Sequence, residues 1–132
     1  MAVEEINAAG GIRSIGTKLE AVLGDSQGKP EIGSSEVEKM AESGVNAFTG
    51  CYQSAVGLAA SQAAAKYNLP FSVDVGVSDR LVSRGLKNVF RFADGYGRIT
   101  QDAVNNLNEI NNAAGSPANS AVIVHEESEF GS

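Results

Sequence analysis

Apolar positions in this chain fall in short runs between glycines and polar turns, and the runs alternate between helical and extended spacing. Residues 2–9 place Val3, Ile6 and Asn7 on a helical spacing and stop at Gly10-Gly11, a C-terminal glycine signal. Residues 18–23 read K-L-E-A-V-L, short and partly alternating, which predicts a strand. A polar loop with Pro30 covers 25–33. Ser35-Glu36-Val37-Glu38 then matches the capping box, in which Ser35 and Glu38 satisfy each other's orphan donors. Val37, Met40 and Ala41 continue as the stripe of a helix ending at Gly44.

Residues 45–49 form an apolar run bounded by Gly44 and Gly50, as in a buried strand. Alanine-rich 54–68 predicts a helix that Asn68-Leu69-Pro70 ends. A strand follows at 71–75, one or two helical turns at 79–85, and a short strand at 88–92. Over 97–114, Ile99, Ala103, Leu107 and Ile110 share one helical face. After Gly115-Ser116-Pro117, the run Ala121-Val122-Ile123-Val124 predicts a buried strand over 120–125. This rhythm implies parallel βαβ units, hence an α/β/α layered fold with a mostly parallel sheet. Such folds normally open with a strand, whereas this chain opens with a helix and stops where another crossover would begin. Both ends therefore read as cut.

At 132 residues the chain is one domain or a piece of one. Sixteen acids against ten bases give a net charge of −6, which argues against a phosphate-backbone binder; no nucleic-acid partner is expected. No apolar stretch reaches the length of a membrane span, so membrane insertion is not expected. One cysteine and one histidine, Cys51 and His125, exclude an intramolecular disulfide and multi-Cys or multi-His metal clusters. No metal or cofactor is implied. The acidic N-terminus lacks the basic start and apolar run of a secretory signal, so the protein is cytoplasmic or its export signal has been removed.

In open α/β sheets, ligands collect at the carboxyl ends of strands. Three loops qualify. In Gly50-Cys51-Tyr52-Gln53-Ser54, Ser54 stands at or near a helix N-cap, where its hydroxyl and the free N–H groups would face an anion; it also fits as a plain cap. Tyr52 would stack on a ligand or cover the sheet end, and Cys51 reads as a small buried filler. In Asp74-Val75-Gly76-Val77-Ser78, Asp74 would accept an ammonium group, or serve as a turn residue with Ser78 capping the next helix. The third loop, His125-Glu126-Glu127-Ser128-Glu129-Phe130-Gly131, reads as a solvated acidic turn. Gly24-Asp25-Ser26-Gln27-Gly28-Lys29-Pro30 is one residue short of a phosphate loop and has Pro30 where Ser or Thr is needed. Gly95-Tyr96-Gly97 lacks the third glycine of a dinucleotide fingerprint.

The opening Ala2-Val3-Glu4-Glu5-Ile6-Asn7-Ala8-Ala9-Gly10-Gly11-Ile12, then Gly24-Asp25-Ser26, resembles the first helix and second strand of the leucine/isoleucine/valine-binding protein family. These are periplasmic substrate-binding proteins of ABC transporters. Residues 50–61 resemble that family's ligand loop, and Arg84-Gly85-Leu86 with Val89-Phe90-Arg91 the segment after its second loop. Val122-Ile123-Val124 with the following turn to Gly131 resembles the crossing into the second lobe. The resemblance implies a type 1 periplasmic binding fold, of which 1–132 would be most of the first lobe, without the first strand. Ligand would bind between two lobes, and an ABC permease would be the partner. By that resemblance, Ser54 and neighbouring N–H groups, with Tyr52 and Gln53 on the same loop, hold a carboxylate, the loop from Val75 to Val77 helps hold an ammonium group, for which Asp74 would be a substitute partner, and Phe130 covers the ligand. Val77 stands where a hydroxyl residue is usual, and Phe130 replaces a tyrosine. The implied role is binding a branched-chain amino acid or similar small carboxylate, without catalysis, in the periplasm. Loss of the first strand would leave unpaired edges, which implies a homodimer or an exchange of elements between copies. The other readings are a sensor domain of a receptor or amide-responsive regulator, and a flavodoxin-like enzyme.

Overall fold

In the computed structural model, which describes residues 2–131, every crossover between strands is helical. The helices are α1 (Ala2–Ala8), α2 (Pro30–Glu42), α3 (Ser54–Lys66), α4 (Arg80–Ser83) and α5 (Tyr96–Ala113). The strands are β1 (Phe48–Gly50), β2 (Phe71–Val73) and β3 (Val89–Arg91). They pair in parallel in the order β1-β2-β3, with Phe48 opposite Phe71 and Phe71 opposite Val89. Parallel neighbours cannot be joined by a tight turn, and α3 and α4 supply the connections.

Period-two alternation sends Phe71 and Val73 into the core. They meet Phe48, Val89 and Leu81 there, together with the small face of α3, Ala60, Ala63 and Ala64. The Phe48 and Phe71 rings stack with centroids 6.1 Å apart. Burying each large apolar side chain contributes about 1.5–3 kcal/mol. Alanine on the inner face of α3 lets that helix lie close to the strands. Helix α2 lies on α3, and Gly33 sets how closely: a Cβ there would come within 2.7 Å of Val56 Cγ1. Arg84, just past α4, donates to Leu58 O at 3.0 Å and Ser61 Oγ at 2.6 Å, which ties the α4 end to α3.

The α/β class and the parallel sheet agree with the sequence expectation, and α1, α3, α4 and α5 fall within a few residues of their expected bounds. Three elements differ. Helix α2 begins at Pro30, five residues before Ser35, because proline's fixed φ suits the first helical turn, where an N–H would have no partner. Ser35 and Glu38 are thus interior, and Glu38 pairs with Lys66 at 2.7 Å instead of closing a capping box. Residues 18–23 form no strand. Asn7 grips Leu19 by both its N–H and its carbonyl at 2.8 Å, in the manner of a neighbouring strand, and beyond it Leu23 is exposed. Residues 120–125 form no strand either, and Val122, Ile123 and Val124 are 86–92% exposed. Both runs have strand composition, but a strand exists only beside a partner strand, and no backbone among the described residues pairs with either run. Among the described residues no helix is long and apolar enough to cross a membrane.

Candidate functional site

The carboxyl end of β1 turns abruptly into α3. Gly50 sits at φ 144° and Cys51 at φ 80°, the left-handed region that a non-glycine residue rarely adopts. That turn brings Tyr52 and Gln53 to the rim of a cleft of about 240 Å³, lined by Ser26, Gly28, Cys51, Tyr52, Gln53 and Val56. The volume is just below the usual small-molecule range, as suits a ligand of metabolite size. Tyr52 is 81% exposed, its ring free to cover an occupant. Gln53 is the N-cap of α3 and makes no side-chain capping bond. The first-turn N–H groups of α3 have no carbonyl of their own helix to bond, and the positive end of the helix dipole lies with them.

Ser54 does not face this cleft. It is 1% exposed, and its hydroxyl accepts a hydrogen bond from the Ser78 N–H at 3.2 Å. The serine therefore joins the first loop to the second rather than presenting its oxygen outward or capping its own helix. The two loops are joined twice more, by Gly76 N–H donating to Cys51 O at 3.1 Å and Asp74 N–H to Gly50 O at 3.4 Å. Asp74 is exposed, and its carboxylate accepts from the Val75 N–H at 2.8 Å, so it closes a local turn while remaining open to solvent. Val75 is exposed and Val77 half-buried. Burial, and next the nearby Asp74 carboxylate, push the Cys51 thiol from its ordinary 9.0 to about 11. A protonated, half-buried thiol is a packing group, not a nucleophile.

Phe130 lies in a second cluster, its ring 5.5 Å from that of Tyr96. Beside it, Glu129 accepts from the Ser78 hydroxyl at 2.9 Å and pairs with Arg80 at 2.7 Å. Arg91 donates to the carbonyls of Val77 and Ser78 at 3.1 and 2.9 Å and pairs with Asp79 at 3.1 Å. Asp79 in turn accepts from the Gly97 N–H at 2.8 Å. Gly97 first, then Arg91, hold the Asp79 carboxyl below its usual range.

The structure thus brings Tyr52, Gln53, Ser54, Asp74, Val75 and Val77 onto two bonded loops, with Phe130 on the segment that folds against Ser78 and Tyr96. Sequence reasoning missed Ser26, Gly28 and Val56 in the cleft, and Ser78 as the residue whose N–H joins the first two loops and whose hydroxyl reaches Glu129. The one signal for the first two was the glycine-flanked 24–30 loop; it crosses the cleft, where Gly28 comes close to the Gln53 amide. Among the described residues no group of three or more His, Cys, Asp or Glu side chains is disposed to hold a metal ion.

A parallel sheet with an open cleft at the carboxyl end of one strand, at a helix N-terminus, is the architecture of a ligand-binding lobe. The periplasmic binding protein family model matches residues 1–132, and the chain belongs to that family. Leu/Ile/Val-binding protein homolog 8 of Brucella abortus (strain 2308) is 33% identical over 107 residues, which are 81% of this chain and 26% of that protein. An ABC transporter substrate-binding protein from Desulfitobacterium hafniense, solved in complex with Leu, superposes with a TM-score of 0.75 at 27% identity, over 83% of this chain and 32% of its own. The branched-chain amino acid transporter substrate binding protein LivJ from Streptococcus pneumoniae, in complex with isoleucine, gives 0.66 at 30% identity, over 71% of this chain and 26% of its own. The chain spans about a quarter of the length of the curated relatives it matches.

Proposed function

We propose that this chain forms the ligand-contacting part of the first lobe of an ABC-transporter solute-binding protein, and that it takes a branched-chain amino acid or similar small carboxylate. The observation that carries this reading is the cleft at the β1–α3 turn, in a chain whose structural relatives hold leucine and isoleucine. Its chemistry suits such a ligand. Free first-turn amides and the helix dipole favour a carboxylate, the exposed Asp74 carboxylate favours an ammonium group, and the exposed Tyr52 ring offers apolar surface to an aliphatic side chain. With Ser54 turned inward, the carboxylate contact passes to the backbone amides at Tyr52, Gln53 and Ser54, and the Ser54 hydroxyl holds the two loops in register. Val75 and Val77 border the ammonium end, and Phe130 lies on the segment that would close over the ligand.

The role is binding of a solute, as in the substrate-binding proteins the chain is similar to. The permease of the transporter is the partner, and the working location is outside the cytoplasmic membrane. The opposite wall of the ligand site belongs to a second lobe that closes by a hinge. Retention of a small ligand depends on enclosing most of its surface, and this cleft encloses it on one side only. Calorimetry of leucine with the chain is expected to give weak binding, with a dissociation constant of about 1 mM or more, and weaker still for glutamate and lysine. A micromolar constant, or equal heats from all three amino acids, would contradict this reading.

A further inference from the structure

We propose that Glu129 is a positioning residue for the ligand site: through Ser78 it holds the turn that carries Phe130 in register with the β1–α3 turn. This rests on the reading that the β1–α3 turn takes the ligand. The junction is Ser78, a residue 4% exposed whose N–H, carbonyl and hydroxyl are all engaged. Its N–H donates to Ser54 Oγ at 3.2 Å, and its carbonyl accepts from Arg91 at 2.9 Å. Its hydroxyl donates to Glu129 Oε1 at 2.9 Å. A serine placed just before a helix ordinarily spends its oxygen on capping that helix. Helix α4 has no side-chain cap, and the Ser78 hydroxyl is turned instead to a carboxylate 51 residues further along the chain.

The turn that bears this carboxylate is held by its own bonds. Ser128 Oγ accepts from the N–H groups of Phe130 and Gly131 at 3.1 and 3.2 Å and donates to the Glu126 carboxylate. A Cβ at Gly131 would collide with the Glu126 carbonyl. Glu129 and Phe130 therefore move as one piece. Among the described residues, hydrogen bonds from 126–131 to other segments run only through Glu129, to the Ser78 hydroxyl and to Arg80. Arg80 is the lesser partner, because its side chain is 67% exposed and an ion pair in water contributes little. Ser78 is buried, where a bond to a carboxylate is charge-assisted and water does not replace it.

Phe130 lands next to the same support. Its ring is 5.5 Å from that of Tyr96, whose N–H donates to Val77 O at 2.9 Å. Glu129 and Phe130 thus stand on consecutive residues of the second loop, Ser78 and Val77. Ser54 completes the path, since its N–H belongs to the first turn of α3 and its hydroxyl oxygen holds Ser78. A carboxylate seated on those amides and the placement of Phe130 are joined through Ser54, Ser78 and Glu129.

Nuclear Overhauser contacts between the Phe130 and Tyr96 rings, read in the chain without ligand, test the positioning. Glu129→Ala and Ser78→Ala are each expected to abolish them. Arg80→Ala is expected to keep them, and so is Glu129→Gln, whose amide oxygen still accepts from Ser78. Contacts at full strength in Glu129→Ala, or lost equally in Glu129→Gln, overturn the proposal. The Phe48–Phe71 ring contact reports the core, and the two Glu129 variants decide the result alone if Ser78→Ala unfolds. Leucine at millimolar concentration then tests the link to the ligand loop. It is expected to move the Phe130 amide together with those of Gln53 and Ser54, and in Glu129→Ala to move Gln53 and Ser54 without Phe130. A Phe130 amide that follows leucine in Glu129→Ala as fully as in the unsubstituted chain overturns the link. Leucine that moves no α3 amide refutes the ligand reading instead, and the ring contacts still decide what places Phe130.

Discussion

Cys51 sits where β1 becomes α3, in a backbone conformation that costs a non-glycine residue of order 1 kcal/mol, and its thiol is pushed up to about 11 by burial and by Asp74. At pH 8 such a group holds roughly a hundredfold less thiolate than an ordinary cysteine. The greater intrinsic nucleophilicity of a high-pKa thiolate restores roughly six- to tenfold. Alkylation of Cys51 by iodoacetamide at pH 8 is therefore expected to run about tenfold slower than that of glutathione, and to accelerate as pH rises through 10 and 11. A rate equal to that of glutathione at pH 8 would contradict the environment described. At this scale the sequence was informative about identity more than direction. The strand-to-helix position of Ser54 was legible, but its orientation depends on the amide of Ser78, 24 residues on, which no local spacing encodes. Cys51 was legible as a small packing residue because an isolated thiol among apolar neighbours has little else to do.

Helix α5 is held at its start by polar contacts. Its Tyr96 N–H donates to Val77 O at 2.9 Å, and its Gly97 N–H donates to the Asp79 carboxylate. Because that carboxyl is held below its usual range, the folded chain binds the proton less tightly than the unfolded chain does. Its contribution to stability is accordingly complete above the ordinary carboxylate range and is lost as pH falls through the lowered value. The Gly97 amide proton resonance is expected to titrate with a midpoint below 3.8, and Asp79→Asn to abolish that movement. A midpoint at or above 3.8 would contradict the linkage. Elements with local stop and start chemistry were legible: alanine-rich α3 ended by Asn68-Leu69-Pro70, and the short runs that became β2 and β3. Residues 18–23 and 120–125 misled for one shared reason. Alternation and β-branching describe a chain that can join a sheet, and whether it does depends on a neighbour supplied from elsewhere. Within 18–23 the Asn7 amide takes up the backbone bonds of Leu19 that a strand would otherwise make.

Across the whole molecule, the α/β class was legible because parallel strands impose helical crossovers and leave that rhythm in the sequence. The cleft was less so, since its walls come from 24–30 and from the β1–α3 turn, segments that are brought together only when α2 packs on α3. The account places carboxylate recognition at that turn, through backbone amides rather than through the Ser54 hydroxyl. Amide chemical-shift mapping at millimolar leucine, repeated with leucinol, which keeps the ammonium and side chain but lacks the carboxylate, tests this most directly. The account predicts that leucine moves the amides of Tyr52, Gln53, Ser54 and Ala55 together with those of Asp74 to Val77, and that leucinol leaves the α3 amides unmoved. Shifts confined to other parts of the chain, or an equal response of the α3 amides to both compounds, would contradict it.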